Sequence, residues 1–388
     1  MSVTAAKGFR ASGVTAGIKT SGRPDVALVI NDGPLQSAAA VFTANRFPAA
    51  PVLWSRQVIA DGELHAVILN SGGANACTGP EGFADTHATA EYVAQIISAS
   101  GRQTGAGEIA VCSTGLIGER LPMDLLLAGC DAAWESVSDD GGAAAAEAIM
   151  TTDTVSKMSV ASARGATVAG MAKGAGMLAP GLATMLVVLT TDAVADPALL
   201  DRVLRQATRV TFDRIDSDGC MSTNDTVLIM ASGATEIELV EDELAALVTS
   251  VCADLAFQLI HDAEGASKDI RIDVRHAADD DEAVDVARTI SRSNLLKCAI
   301  HGEDPNWGRV LSALGTTAAT FESDAVDVAI NGVWVCRGGA AGESREGVDM
   351  SGREVVITVD LAAGEAGATL WTNDLTADYV HENSAYST

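Results

Sequence analysis

Thr184 is the residue with the most unusual setting for chemistry. The stretch GAGMLAPGLATMLVVLTT, residues 174–191, carries no charged side chain, and threonines stand among glycine, proline and aliphatic residues. A threonine hydroxyl is a poor nucleophile unless a base lies beside it, and one solution makes threonine the first residue of a chain, so that its own amine is the base. An α-amine titrates at about 7.7 to 8.0, so near neutral pH a useful fraction can accept a proton. An internal threonine reaches that state only if the bond before it is cut. Small Ala183 and the preceding Gly/Pro turn suit such a cut, because the hydroxyl must reach its neighbour's carbonyl. The competing reading of Thr184 is one more β-former at the start of a strand.

The elements that would position it alternate along the chain. TMLVVLTT is β-branched and reads as a fully buried strand, entered from a Gly/Pro loop that argues against a membrane span. DVALVIND, LHAVILNSGG and EIAVCSTG read as further strands that end in small residues. Leu244, Leu247, Val248, Val251, Leu255 and Leu259 fall at helical spacing after an acidic EDE, and that helix runs out at HDAEG, with Glu264 just before a stopping Gly265. From about residue 270 the texture changes to a strand DIRIDVRH, a helix opening on DDDEA, and the strands VDVAING, VWVCRGG, REVVITVDL and ATLWTND. In DPNWGR, Asp304 and Pro305 read as a helix N-cap and N1. The expectation is a layered α/β protein with a smaller C-terminal α/β unit, packed tightly because no long linker intervenes.

Composition narrows the function. The 388 residues are 48% hydrophobic and only 4% aromatic, which suits a large core of small residues. Lys plus Arg number 25 against 52 Asp plus Glu, a formal charge of -27, which excludes nucleic acid as a partner and means an anionic substrate needs a local cation. Seven scattered cysteines without a C-x-x-C pair give neither a disulfide framework nor a zinc site. The N-terminus has no signal-peptide core and no other segment competes as a membrane span, so the cytoplasm is expected. No P-loop, G-x-G-x-x-G, H-E-x-x-H or G-x-S-x-G motif occurs, so neither a nucleotide cofactor nor a metal is expected.

The segment MAKGAGMLAPGLATML closely resembles the self-cleavage segment of the ornithine acetyltransferase family, also called glutamate N-acetyltransferase or ArgJ. NSGGANACTG, VCSTGLIGERLPMD, AIMTTDT, DSDGCMSTNDT, DAEGASK, DPNWGRV and ENSAYST agree with it in order and spacing, over essentially the whole chain. The resemblance implies a cut between Ala183 and Thr184, giving chains 1–183 and 184–388. The second would complete the main sandwich over about 184–269 and form the smaller unit over about 270–388. It implies that Thr184 carries the acetyl group and that Thr114 and Gly115 form an oxyanion hole. Thr151, Lys173, Glu264, Asn383 and Thr388, with Thr184, are implied to bind substrate. Lys173, in what reads as an apolar glycine loop, would supply the cation for a substrate carboxylate, and Glu264 could pair with an ornithine amine.

The implied fold is a self-cleaving αββα sandwich of the DmpA/ArgJ type, with the cut chains pairing as an α2β2 heterotetramer. The implied reaction is glutamate N-acetyltransferase: N-acetylornithine gives its acetyl group to Thr184 and leaves as ornithine, then glutamate takes it. Some members also use acetyl-CoA, and the residues leave open whether this one does. The rival is a self-cleaving aminopeptidase of similar architecture, in which water resolves the acyl-enzyme. A binding protein that never cleaves is the rival from outside enzymology.

Overall fold

Residues 2–179 and 185–385 are described by the computed structural model. Ala183, Thr184 and Thr388 lie outside the described residues. The first strands are β1 (Phe9–Val14), β2 (Val26–Asn31) and β3 (Ser37–Phe42), followed by α1 (Ala50–Val58), β4 (Ala66–Gly73), α2 (Gly79–Ala99), β5 (Ile109–Leu116), α3 (Met123–Glu135) and α4 (Gly142–Ala148). Then come β6 (Lys157–Ala163), β7 (Ala166–Lys173), β8 (Leu186–Thr191), α5 (Pro197–Val210), β9 (Thr226–Ala231) and α6 (Glu241–His261). They make a four-stranded sheet in the order β1-β2-β4-β5 and a five-stranded sheet in the order β3-β9-β8-β7-β6.

Strand β8 explains how the two sheets are layered. Its side chains alternate, so Leu186 and Val188 join the core that holds Leu28 and Ile68 of the first sheet. Val187 and Leu189 face the other way, into a core with Leu200 and Leu204 of α5 and Val248 and Leu255 of α6. A strand buried on both faces needs an unbroken apolar run, and that is why LVVLTT shows no polar alternation. Helices α2 and α3 lie against the first sheet, and α5 and α6 against the second.

Helix α6 corrects one expectation. By length and composition alone it is long and apolar enough to cross a membrane. Instead it is a core helix. Leu244, Val248, Val251, Leu255 and Leu259 are buried on the second sheet, and Glu241, Asp242 and Glu243 occupy its first turn, where the helix dipole favours acids.

The C-terminal part is built from β10 (Asp269–Ala277), α7 (Asp280–Ser291), α8 (Asn294–His301), α9 (Trp307–Leu314), β11 (Asp327–Ile330), β12 (Val333–Arg337), β13 (Ala340–Ala341), β14 (Glu354–Asp360), β15 (Ala366–Asn373) and α10 (Ala377–Ala385). Six strands, in the order β13-β12-β11-β14-β10-β15, share a core of their own with α7, α8 and α9. Strand β15 ties it to the main body: Trp371 meets Phe257 of α6 edge-on at 5.3 Å, and Asn373 Nδ2 donates to the Ile260 carbonyl at 2.9 Å. The expected cap at Asp304 is displaced by two residues. Asn306 caps α9 by accepting from the Arg309 N–H, while the Asp304 carboxylate accepts from the Asn306 side-chain amide at 2.9 Å and holds the cap in place.

Candidate active site

Strands β4 and β5 run parallel and end together, and their register shifts at Gly72 and Gly73, opposite Gly115. Gly115 has φ +129°, and a Cβ there would lie 2.6 Å from the backbone of Gly72 and Gly73. Only glycine fits. The turn leaves Thr114 2% exposed, with its hydroxyl oxygen accepting from Lys173 Nζ at 3.2 Å. A hydroxyl that accepts from an ammonium keeps its own proton to donate elsewhere, which is the state an oxyanion donor needs.

Lys173 closes strand β7 rather than sitting in a loop. Burial pushes its ammonium pKa down, partly offset by Asp153. Asp153 is a residue that the motifs did not single out. Burial alone would push its carboxyl up, but Lys173 and Lys157 with the Gly174 N–H hold it at about 2. Its oxygens accept from the Thr151 N–H at 2.9 Å, the Gly174 N–H at 2.6 Å and Lys157 Nζ at 2.7 Å. Lys157 is fully buried and also reaches Asp262 at 2.6 Å. One buried charge network thus fixes Thr151, the residue after Lys173, and the segment two residues before Glu264.

Glu264 is held by its N–H to the Ala175 carbonyl at 2.9 Å. A Cβ on Gly176 would sit 2.7 Å from the Glu264 carboxylate, so that glycine makes room for it. Asn383, on α10, donates to Glu264 Oε2 at 2.9 Å. The tail is therefore tied to the cleft at Asn383. Gly265, at φ +60°, lets α10 approach so closely that a Cβ would lie 2.2 Å from the Tyr379 nitrogen, and Thr376 donates to its carbonyl at 2.6 Å.

Thr114, Gly115, Thr151, Lys173, Glu264 and Asn383 line one cleft. Its remaining wall includes Ser222, Thr223 and Asn224, just before β9, which were quoted in a motif without a role. Asn224 Nδ2 donates to the Ala74 and Ser113 carbonyls at 2.6 and 2.8 Å, pinning the β4 and β5 ends together. The next residue, Asp225, is fully buried, and burial pushes its carboxyl well above the usual range. It accepts from the N–H of Met185, the first described residue after the expected cut. A polar S-T-N-D run entering an apolar strand was the available signal for this wall. Among the described residues no group of three or more His, Cys, Asp or Glu could hold a metal. The arrangement offers a cation, hydroxyl donors and a carboxylate within one small cleft, which suits acyl transfer to and from an amino acid.

A family model described as the ArgJ family matches residues 10–388. The chain is 68% identical over 387 residues to the arginine biosynthesis bifunctional protein ArgJ of Streptomyces coelicolor, covering 100% of both. It is 56% identical over 388 residues to the protein of the same name from Mycobacterium tuberculosis, covering 99% of this chain and 96% of that one. Among solved structures it is similar to ornithine acetyltransferase complexed with ornithine from M. tuberculosis, at 57% identity and a TM-score of 0.44, covering 48% of this chain and 96% of that one.

Proposed function

The chain belongs to the ArgJ family of arginine biosynthesis and has its acyltransferase activity, glutamate N-acetyltransferase (ornithine acetyltransferase), and we propose that the exchange takes place in this cleft through Thr184 as a terminal nucleophile. The observation that carries the proposal is the meeting of six residues, named from five separate motifs, in one cleft with Lys173 buried among them. Self-cleavage comes first. The Thr184 hydroxyl adds to the Ala183 carbonyl, the C–N bond breaks with the proton passing to nitrogen, and water hydrolyses the resulting ester. Chains 1–183 and 184–388 result.

In the transfer, the freed amine takes the hydroxyl proton as the oxygen attacks the acetyl carbonyl of N-acetylornithine. The proton then goes to the departing ornithine amine, leaving acetyl-Thr184. The Thr114 hydroxyl and the Gly115 N–H face the oxyanion. Lys173, Thr151 and Asn383, with Thr388 of the tail, hold the amino acid, and Glu264 receives the ornithine side-chain ammonium. The glutamate amine attacks in the second half, and its proton returns through the Thr184 amine to the leaving oxygen. The layering supports a self-cleaving αββα sandwich of the DmpA/ArgJ type for the main body, with the C-terminal sheet as a smaller unit. An α2β2 assembly and a cytoplasmic location complete the reading. The relatives are bifunctional proteins, which fits a second activity, and acetyl-CoA, the donor some family members also use, is the reading for it here.

Thr184→Val tests the nucleophile, because it keeps β-branching and volume while deleting the hydroxyl. It should remain one band on a denaturing gel and gain no acetyl mass from N-acetylornithine, whereas wild type splits and gains one acetyl on the fragment that begins at Thr184. A Val variant that still splits and transfers refutes the mechanism. Wild type that releases acetate as fast as it transfers points to the aminopeptidase chemistry.

A further inference from the structure

Asp225 is placed beside the cut by the chain itself. Its Oδ1 accepts from the Met185 N–H at 3.1 Å. Three covalent bonds separate that nitrogen from the nitrogen of residue 184, so the two lie within roughly 4 Å of each other in any conformation. Its other oxygen, Oδ2, is buried, and among the described residues no donor meets it in hydrogen-bond geometry. Burial drives this carboxyl toward its neutral form, and the Met185 N–H, the charge on Lys173 and the nearby Ser222 and Thr43 hydroxyls oppose that only in part. An unpartnered buried carboxyl oxygen is costly, which calls for a reason.

We propose that Asp225 is a positioning residue for the amine created at Thr184, and that its second oxygen is built for the cut chain rather than the continuous one. This rests on the reading of Thr184 as a terminal nucleophile. Before the cut, the nitrogen of residue 184 carries one hydrogen. The cut consumes one water, replaces the C–N bond with a carboxylate on Ala183, and leaves an amine with two hydrogens, or an ammonium with three. The reaction therefore generates new donors within reach of Oδ2. A carboxyl holding both the Met185 N–H and the amine fixes the rotation of the first residue. The amine lone pair is then directed at the hydroxyl whose proton it must take. Among the described residues of the continuous chain nothing donates to Oδ2, and the cut supplies new donors within its reach.

Two experiments decide the matter. In a crystal structure of the cut wild-type enzyme, an Asp225 carboxyl oxygen should lie within about 3.2 Å of the Thr184 α-nitrogen, and a separation beyond hydrogen-bond reach overturns the proposal. Asp225→Asn keeps the Oδ1 acceptor and the volume but turns an NH2 group toward the amine. Its acetyl transfer from N-acetylornithine should fall of order 100-fold in kcat with KM little changed, as a misaimed reacting group produces. Wild-type kcat in that variant overturns the proposal, as does a loss confined to KM. A wild-type chain that never splits overturns the terminal-nucleophile reading as well. A chain that splits but holds its amine away from Asp225 overturns the positioning role alone.

Discussion

Replacing Lys157 by Met should test the buried charge network through its pH dependence. Lys157 is fully buried between Asp153 and Asp262, at 2.7 and 2.6 Å, and Met nearly matches its volume without the charge. Breaking a buried pair by removing one partner costs about 3–5 kcal/mol. The low end applies here, about 3 kcal/mol, because Lys173 still faces Asp153 and Asp262 still accepts from the Thr154 N–H. The pH dependence has a definite sign. Asp153 is held at about 2, below its ordinary 3.8, so it contributes stability that is complete above about pH 4 and is lost as pH falls toward 2. At about 1.4 kcal/mol per unit, that contribution is of order 2–3 kcal/mol. Without Lys157 the carboxyl titrates higher, so the variant loses less on acidification and the gap to wild type should narrow below about pH 4 and be visibly smaller at about pH 3. Urea unfolding of both proteins at one fixed concentration, from pH 7 down to pH 3, measures the gap. A difference below about 1 kcal/mol at pH 7, the range of an exposed ion pair, or a gap that stays constant on acidification, would refute the reasoning.

Gly115→Ala forces a Cβ to within 2.6 Å of the facing backbone and an L residue into φ +129°, so transfer should fall at least about 100-fold, as for loss of an oxyanion donor. A normal acetyl-transfer rate would show that the turn is not part of the machinery. Gly265→Ala pushes against the Tyr379 nitrogen at 2.2 Å and should unseat α10. It should leave self-cleavage intact and raise KM for N-acetylornithine at least about tenfold, the worth of a charged hydrogen bond. Deleting residues 383–388 should do the same, and unchanged kinetics in both variants would remove the tail from the site.

Strands whose two faces are both buried were the easiest elements to read, because β2 and β8 must be continuous apolar runs and glycines or polar turns mark their ends. Helix α6 announced itself by periodic Leu and Val after acids in its first turn, and α7 by the acids that open it. Strand β7 did not. GATVAGMAKG has the glycine content of a loop, yet a Cβ on Gly170 would lie 2.6 Å from the Leu189 side chain and 3.0 Å from that of Leu255, so the glycine is there to let β8 and α6 approach a strand. Local pattern cannot show a requirement imposed by residues 19 and 85 positions away. The same limit hid Lys157, which opens a strand as a surface lysine would and whose partner Asp262 lies 105 residues on. Cleft residues to which the resemblance assigns a role were legible, whereas Ser222, Thr223 and Asn224, which stand in a motif without one, were not. Asp153 and Asp225, whose importance comes from burial and from what they hold, were not.

The order of the five-stranded sheet gives the proposed cut a thermodynamic meaning. Strands β3, β7 and β6 precede residue 184, and β8 and β9 follow it, yet the order is β3-β9-β8-β7-β6. The later half is clamped on both sides, by β3 against β9 and by β7 against β8. Separation of the cut chains would break two ladders at once and strip both cores of apolar surface, so dissociation and unfolding become the same event. What changes is the reaction order: unfolding of a continuous chain is unimolecular, but a cut one yields two molecules, and its midpoint then depends on protein concentration. Dilution would favour the unfolded halves, and each half alone would expose strand edges made for the other.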